Sequence, residues 1–149
     1  MGPFEELLKE LALALDIDIV PEDKETCLLL FEESLPVQIE IMDEKLLIGA
    51  KLGEVHPGKS RELILIEALK ANNAPYPRFG TLAYSNKTNQ LIQCEMINMD
   101  GVRGEELKDL LASFVKKAQV WKEALEQGVA PQIDIPGSKT SSAPFGLSS

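Results

Sequence analysis

Apolar positions in the first fifteen residues recur at helical spacing. Phe4, Leu7, Leu8, Leu11 and Leu15 share one stripe, while Glu5, Glu6, Lys9 and Glu10 lie elsewhere. This spacing predicts a helix over 4–15, with glutamates at the positive end of its dipole. Leu13 falls off the stripe, roughly opposite Leu11, and leaves some apolar surface uncovered. Pro21 cannot continue the helix, so the stretch from Asp16 to Asp23 is expected to close it. Three strands should follow. Thr26 to Phe31 is a nearly continuous apolar run, which predicts burial on both faces. Val37 to Ile41 alternates apolar with polar, as a half-exposed antiparallel strand does. Leu46, Ile48, Ala50 and Leu52 alternate with Leu47, Gly49 and Lys51. The connectors around 32–36 and 43–45 are too short for helical crossovers, which leaves antiparallel hairpins.

Ser60 to Asn72 reads as a second helix with Ser60 as its N-cap. At its centre Leu63-Ile64-Leu65-Ile66 covers nearly the whole circumference, and Ala68 and Leu69 extend that surface. A helix apolar all round must be buried on more than one side. The second side is either a partner subunit or the chain's own core, and periodicity alone does not separate these or exclude a strand. Pro75-Tyr-Pro-Arg breaks the helix. Phe79 to Tyr84 and Leu91 to Ile97 form a strand pair across the turn-rich link 85–89. Asp100-Gly101 marks another turn. Gly104 to Gln127 is the best-defined helix, with Leu107, Leu111, Phe114, Ala118, Trp121 and Leu125 on one stripe that Leu110 widens. The order α-β-β-β-α-β-β-α describes an α+β domain of three helices on a mostly antiparallel five-stranded sheet. That domain is placed at 1–127. The Pro/Ser/Gly-rich tail, 128–149, is expected to be largely disordered, although Ile133 and Ile135 could dock as a short extended piece.

Composition changes this picture little. Apolar content is 44% and charged content 26%, as in ordinary globular proteins. The opening residues lack the basic and apolar regions of a secretory signal, and no apolar run is long enough to span a membrane. The chain is therefore expected in the cytoplasm. Charge is more informative. Of the net −9, residues 1–57 carry −10 and residues 58–149 carry +1. A field of that sign repels phosphate backbones and anionic lipids, which argues against nucleic acid and membrane as partners. Beyond simple solubility, it favours a basic or amphipathic partner for the first half. Cys27, Cys94 and the single histidine, His56, are too few and too far apart for a zinc site. Reduced, mostly buried thiols are expected. Asp16, Asp18, Glu22 and Asp23 lack the glycine and spacing of a calcium loop. No nucleophile elbow or other catalytic set stands out.

One motif needs a separate test. Gly53-Glu-Val-His-Pro-Gly-Lys59-Ser60 matches G-x-x-x-x-G-K-[ST] and lies between a strand and a helix, the setting of a phosphate-binding loop. Pro57 has no N–H where the phosphate cradle needs consecutive donors. The short links between strands also speak against the parallel sheet such a loop normally serves. A turn and helix cap explain the same letters. A nucleotide-binding protein is kept as the alternative reading, together with a generic dimeric adaptor.

From Leu63 to Gly128 the chain resembles the class I type III secretion chaperones, the CesT/SycE-like family. The likeness rests on Leu63-Ile-Leu-Ile-Glu-Ala-Leu-Lys-Ala-Asn, then Phe79-Gly-Thr-Leu-Ala-Tyr and Leu91-Ile-Gln-Cys, then the final helix with Leu107, Leu111, Phe114, Ala118 and Trp121. Less specifically, it extends over about 3–127. The resemblance implies a bacterial homodimer without enzymatic activity or cofactor, which keeps an N-terminal segment of a secreted effector extended for export. It implies dimer contacts among Ile64, Leu65, Leu69 and Leu82. It further implies effector contacts among Leu8, Leu11, Leu15, Leu28, Leu30 and Ile39, although plain core packing competes at each of these positions. The phosphate-loop-like letters and the tail depart from the family pattern.

Overall fold

Pro3 opens the first helix, α1 (Pro3–Leu15), at a position where a missing N–H breaks no helical bond. A computed structural model describes residues 2–131, apart from positions 20, 22, 24, 33 and 76–78. Helix α1 ends at Asp16, well before Pro21. Asp16 adopts a left-handed φ of 57°, and the N–H groups of Asp16 and Ile17 return to the Leu13 and Ala12 carbonyls. Strands β1 (Thr26–Phe31), β2 (Leu35–Met42) and β3 (Lys45–Glu54) follow. After them come α2 (Lys59–Asn72), β4 (Thr81–Ser85), β5 (Gln90–Asn98) and α3 (Gly104–Gln127). The five strands form one antiparallel sheet in the order β1-β2-β3-β5-β4.

Strand periodicity divides the sheet into two unlike faces. Cys27 and Leu29, Val37 and Ile39, Leu46 and Ile48, and Leu91 point inward and are buried. Helices α1 and α3 pack over them, and α3 lays its whole stripe into the core, including the fully enclosed Phe114 and Trp121. The side chain of Gln93 is buried among apolar neighbours. Its Nε2 donates to the Phe79 and Phe114 carbonyls at 3.1 and 3.0 Å, tying β5 to α3 and to the approach to β4. Gly80 makes room for that amide: a Cβ there would sit 2.9 Å from Gln93 Cγ, on a backbone with φ +124°.

Helices α1 and α3 approach backbone to backbone at Gly104, where an added Cβ would lie 2.5 Å from the Glu10 carbonyl carbon. Glu10 reaches over that contact. Its carboxylate accepts the Gly104 N–H at 2.9 Å and both Nε and Nη2 of Arg103, at 3.1 and 2.9 Å. These donors hold the Glu10 carboxyl below its ordinary value, the Gly104 N–H contributing most. In effect α1 caps the positive end of α3.

Three expectations change. The apolar run of β1 is buried on one face only: Cys27 and Leu29 are enclosed, whereas Leu28 and Leu30 are 48% and 62% exposed. No layer covers the second face among the described residues. Helix α2 starts at Lys59 after Gly58, which takes a positive φ of 127°, so Ser60 lies inside the helix instead of capping it. Strand β4 starts at Thr81, because Phe79 and Gly80 both take positive φ and turn the chain before pairing begins. Ile133 and Ile135, and the disorder expected of the tail, fall outside the described residues, except that 128–131 are described. Among the described residues no helix is long and apolar enough to cross a membrane.

Candidate functional site

Two apolar surfaces are left open by this fold. The first is the outer side of α2. This helix docks beside β4 through Ile64 and Ala68, which are buried. At its C-terminal end Asn72 imitates a neighbouring strand. Its Nδ2 donates to the Leu82 carbonyl and its Oδ1 accepts the Leu82 N–H, both at 2.8 Å, so the outward backbone groups of Leu82 on β4 are satisfied. At the other end Arg61 donates to Asn89 Oδ1 at 2.8 Å and lies 4.7 Å from the Tyr84 ring centroid. The Tyr84 hydroxyl donates to the same oxygen, and Asn89 Nδ2 donates to the Val55 carbonyl. Held at both ends, α2 turns Leu63, Ile66 and Leu69 away from the subunit. Their spacing puts them on one face, and Leu63 and Leu69 are 60% and 70% exposed. A shallow hollow of about 430 Å³ lies beside Ile66 and Leu69.

The second surface is the outward sheet face together with the edge of β1. Leu28 lies across from Gln38, Gln38 from Gly49, and Gly49 from Cys94, so one row crosses four strands. With Pro36, Leu47 and Ile92 this row lines a concavity of about 480 Å³. Burial and the charge of Glu95 push the Cys94 thiol up, which keeps it protonated and neutral near neutral pH.

The edge itself can be read from pairing parity. Ile41 donates to the Glu25 carbonyl, which makes Glu25–Ile41 a hydrogen-bonded pair. Alternation then gives Cys27 and Leu29 the same role, facing β2, and points the N–H and C=O groups of Thr26, Leu28 and Leu30 outward. The Asp23 N–H bonds the outward Thr26 carbonyl, as this parity requires. Leu28 and Leu30 therefore offer backbone hydrogen bonds and apolar side chains at the same place.

The structure sorts the residues singled out from sequence. Leu8, Leu11 and Ile39 are core: the α1 stripe faces α3 and the sheet, and the period of β2 turns Ile39 inward with Val37. They offer no surface to a guest in the folded subunit. Leu15 is half-buried against the core, while Leu28 and Leu30 are open. Of the dimer candidates, Leu69 is exposed and Leu65 half-buried. Ile64 and Leu82 are already buried within the subunit, where α2 meets β4. Leu63 and Ile66 complete the open α2 face beside Leu69, in place of Ile64 and Leu82. Their signal was present in the four-residue apolar run, but finding the inward side required knowing where β4 lies.

The phosphate-loop letters take no cradle form. Gly53 and Glu54 are still strand, Val55 is buried and bonded to Asn89, and the parent sheet is antiparallel. Among the described residues, no group of three or more His, Cys, Asp or Glu side chains could hold a metal ion.

Comparison with known proteins agrees with this layout. The model of the Tir chaperone protein (CesT) family matches residues 6–122. The Yersinia pestis type III secretion chaperone SycH, solved in complex with a stable fragment of YscM2, is similar in fold. It has a TM-score of 0.61 and 22% identity, over 76% of this chain and 94% of that one. The HopA1–SchA chaperone–effector complex matches with a TM-score of 0.65 and 20% identity, over 82% and 94%. YbjN from E. coli, described as a putative transcription regulator, also matches, with a TM-score of 0.56 and 18% identity over 85% and 93%. At these identities the likeness to solved structures carries the fold alone. No curated protein sequence matches the chain.

Proposed function

The chain belongs to the Tir chaperone protein (CesT) family, and from that premise we propose that it is a type III secretion chaperone. In this reading it binds the N-terminal region of a secreted effector in the cytoplasm and keeps it extended for export, without enzymatic activity or cofactor. The folded domain is residues 1–127. Two subunits join through the outer faces of α2, where Leu63, Ile66 and Leu69 lose their contact with water and Leu65 lies at the margin. The guest takes the outward sheet face and the β1 edge.

The observation that carries this reading is the coincidence at β1. An extended guest brings unpaired backbone groups and apolar side chains, and Leu28 and Leu30 answer both needs at once. Burying each such leucine contributes about 1.5–3 kcal/mol. Ordering a disordered guest costs about 2–5 kcal/mol or more, so useful affinity needs a long wrapped segment, not one anchor. The −10 charge of residues 1–57 favours guests with basic or amphipathic segments. Support for the partner class comes from the similar chains SycH and SchA, each solved with a protein partner.

The test is co-purification from the native cell followed by reconstitution. The tagged chain is expected to bring down a secreted protein, and an N-terminal fragment of that protein should bind the pure chain saturably. Deleting the chaperone should abolish secretion of that protein. Secretion that is unaffected, with no binding by the fragment, rules the proposal out.

A further inference from the structure

The open face of α2 has a chemical symmetry of its own. Leu63, Ile66 and Leu69 are exposed on it, and so are Glu62 and Lys70. At about 100° per residue all five lie within about 60° of the direction of Ile66, opposite the buried Ile64 and Ala68. Along the chain, Leu63 and Leu69 stand three residues to either side of Ile66, and Glu62 and Lys70 stand four. Helical geometry alone makes the positions symmetric. It does not make the residue types match, yet here leucine mirrors leucine and an acid mirrors a base.

A twofold contact uses the same patch on both subunits, so the patch must complement itself. Antiparallel pairing about an axis through Ile66 sets Ile66 on its own copy and Leu63 on the partner's Leu69, which covers all three apolar residues. It also sets Glu62 beside the partner's Lys70, and does so twice. The hollow of about 430 Å³ beside Ile66 and Leu69 lies where the partner's Leu63 arrives. Lys59, exposed in the first turn, comes to the negative end of the partner's helix. Lys70 bonds Glu67 of its own subunit at 3.2 Å, and its ammonium has donors left for a second carboxylate. Arg61 is held by Asn89 and Tyr84 and takes no part. Other arrangements fit worse. Parallel helices would face Glu62 with Glu62 and Lys70 with Lys70. An axis moved to Leu63 would carry Leu69 past the start of the partner's helix, and an axis at Leu69 would carry Leu63 past its end.

We propose that α2 pairs with α2 of a second copy of this chain, antiparallel, about a twofold axis through Ile66, and that Glu62 and Lys70 select this partner and this register. The inference rests on the joining of subunits through α2 given above, and adds its direction, its register and its choice of partner. The leucines and Ile66 supply the attraction. The charges at the rim add little to it, but they oppose any pairing that brings like against like.

Sedimentation of the full chain at low ionic strength, where exposed charges are least screened, tests the register. Glu62→Lys sets base against base at both rim contacts, and Lys70→Glu sets acid against acid. Each variant alone should dimerise roughly tenfold more weakly than the unaltered chain, or worse. An equimolar mixture of the two should regain the unaltered affinity, because the mixed pair sets an acid against a base at both contacts. A variant that had failed to fold could not be rescued in this way. If neither reversal weakens the dimer, or if the mixture stays as weak as each variant alone, the register is overturned and the α2 interface still stands. An unaltered chain that remains monomeric at every concentration would overturn both.

Discussion

Helices α3 and α2 are both rich in apolar residues, yet they relate to the molecule in opposite ways. Helix α3 gathers its apolar side chains into one stripe, and the subunit encloses that stripe completely, down to Phe114 and Trp121. Helix α2 spreads Leu63, Ile64, Leu65 and Ile66 around its axis, and the subunit covers only the side with Ile64 and Ala68. Apolar content therefore does not decide burial; its angular distribution does. A stripe can be satisfied by one neighbouring layer. An apolar girdle needs two, and this chain provides one.

Substitutions should separate the two helices by size of effect. Trp121→Ala empties the best-filled part of the α3 interface and should cost about 3–5 kcal/mol, read by chemical denaturation. Gly104→Ala drives a methyl into the Glu10 backbone, where no flexible side chain can give way. A loss of about 1–3 kcal/mol is expected in the same assay. Asn72→Ala leaves the Leu82 N–H and C=O without their partner at the α2–β4 seam, for about 1–2 kcal/mol. On the open face of α2, Leu69→Asp should change the stability of the single subunit by no more than about 0.5 kcal/mol. It should nonetheless shift sedimentation at micromolar concentration from dimer to monomer. If Leu69→Asp instead unfolds the subunit, the contrast between the helices is lost.

The smallest expected effect concerns pH. The folded Glu10 carboxyl lies below its ordinary 4.5. The unfolded carboxyl titrates near that ordinary value, so the contribution of the clasp is fully present above it. It is lost as the pH falls from there through the lower, folded value. Glu10→Gln should flatten this acid limb in melting temperatures recorded as a function of pH, so that the difference from the unaltered chain is largest near neutral pH and shrinks as the pH falls.

Much of the fold was legible because periodicity reports burial directly. The α3 boundaries, the alternation in β2 and β3, and the short connectors that impose antiparallel pairing all come from spacing alone. The site was legible only in part. Leu28 and Leu30 stood out, but so did Leu8, Leu11 and Ile39, since a leucine facing core and a leucine facing a groove look alike in sequence. What separates them is the position of α1 and α3 over one sheet face, which is a tertiary fact. The run at β1 led to an expectation of two-sided burial, and the subunit supplies one side. The Asn72 bridge and the Glu10 clasp left no trace in sequence, because each joins residues that only the folded chain brings together.

The bridge from Asn72 to Leu82 has a consequence for valence. A sheet with two unblocked borders can be joined on both and can string copies into an open-ended fibre. With the Leu82 groups already taken, the β4 border is partly closed to a joining strand, whereas among the described residues the outward groups of Leu28 and Leu30 leave β1 open. Growth through strand pairing is thereby biased to one side of the sheet, which disfavours open-ended fibres.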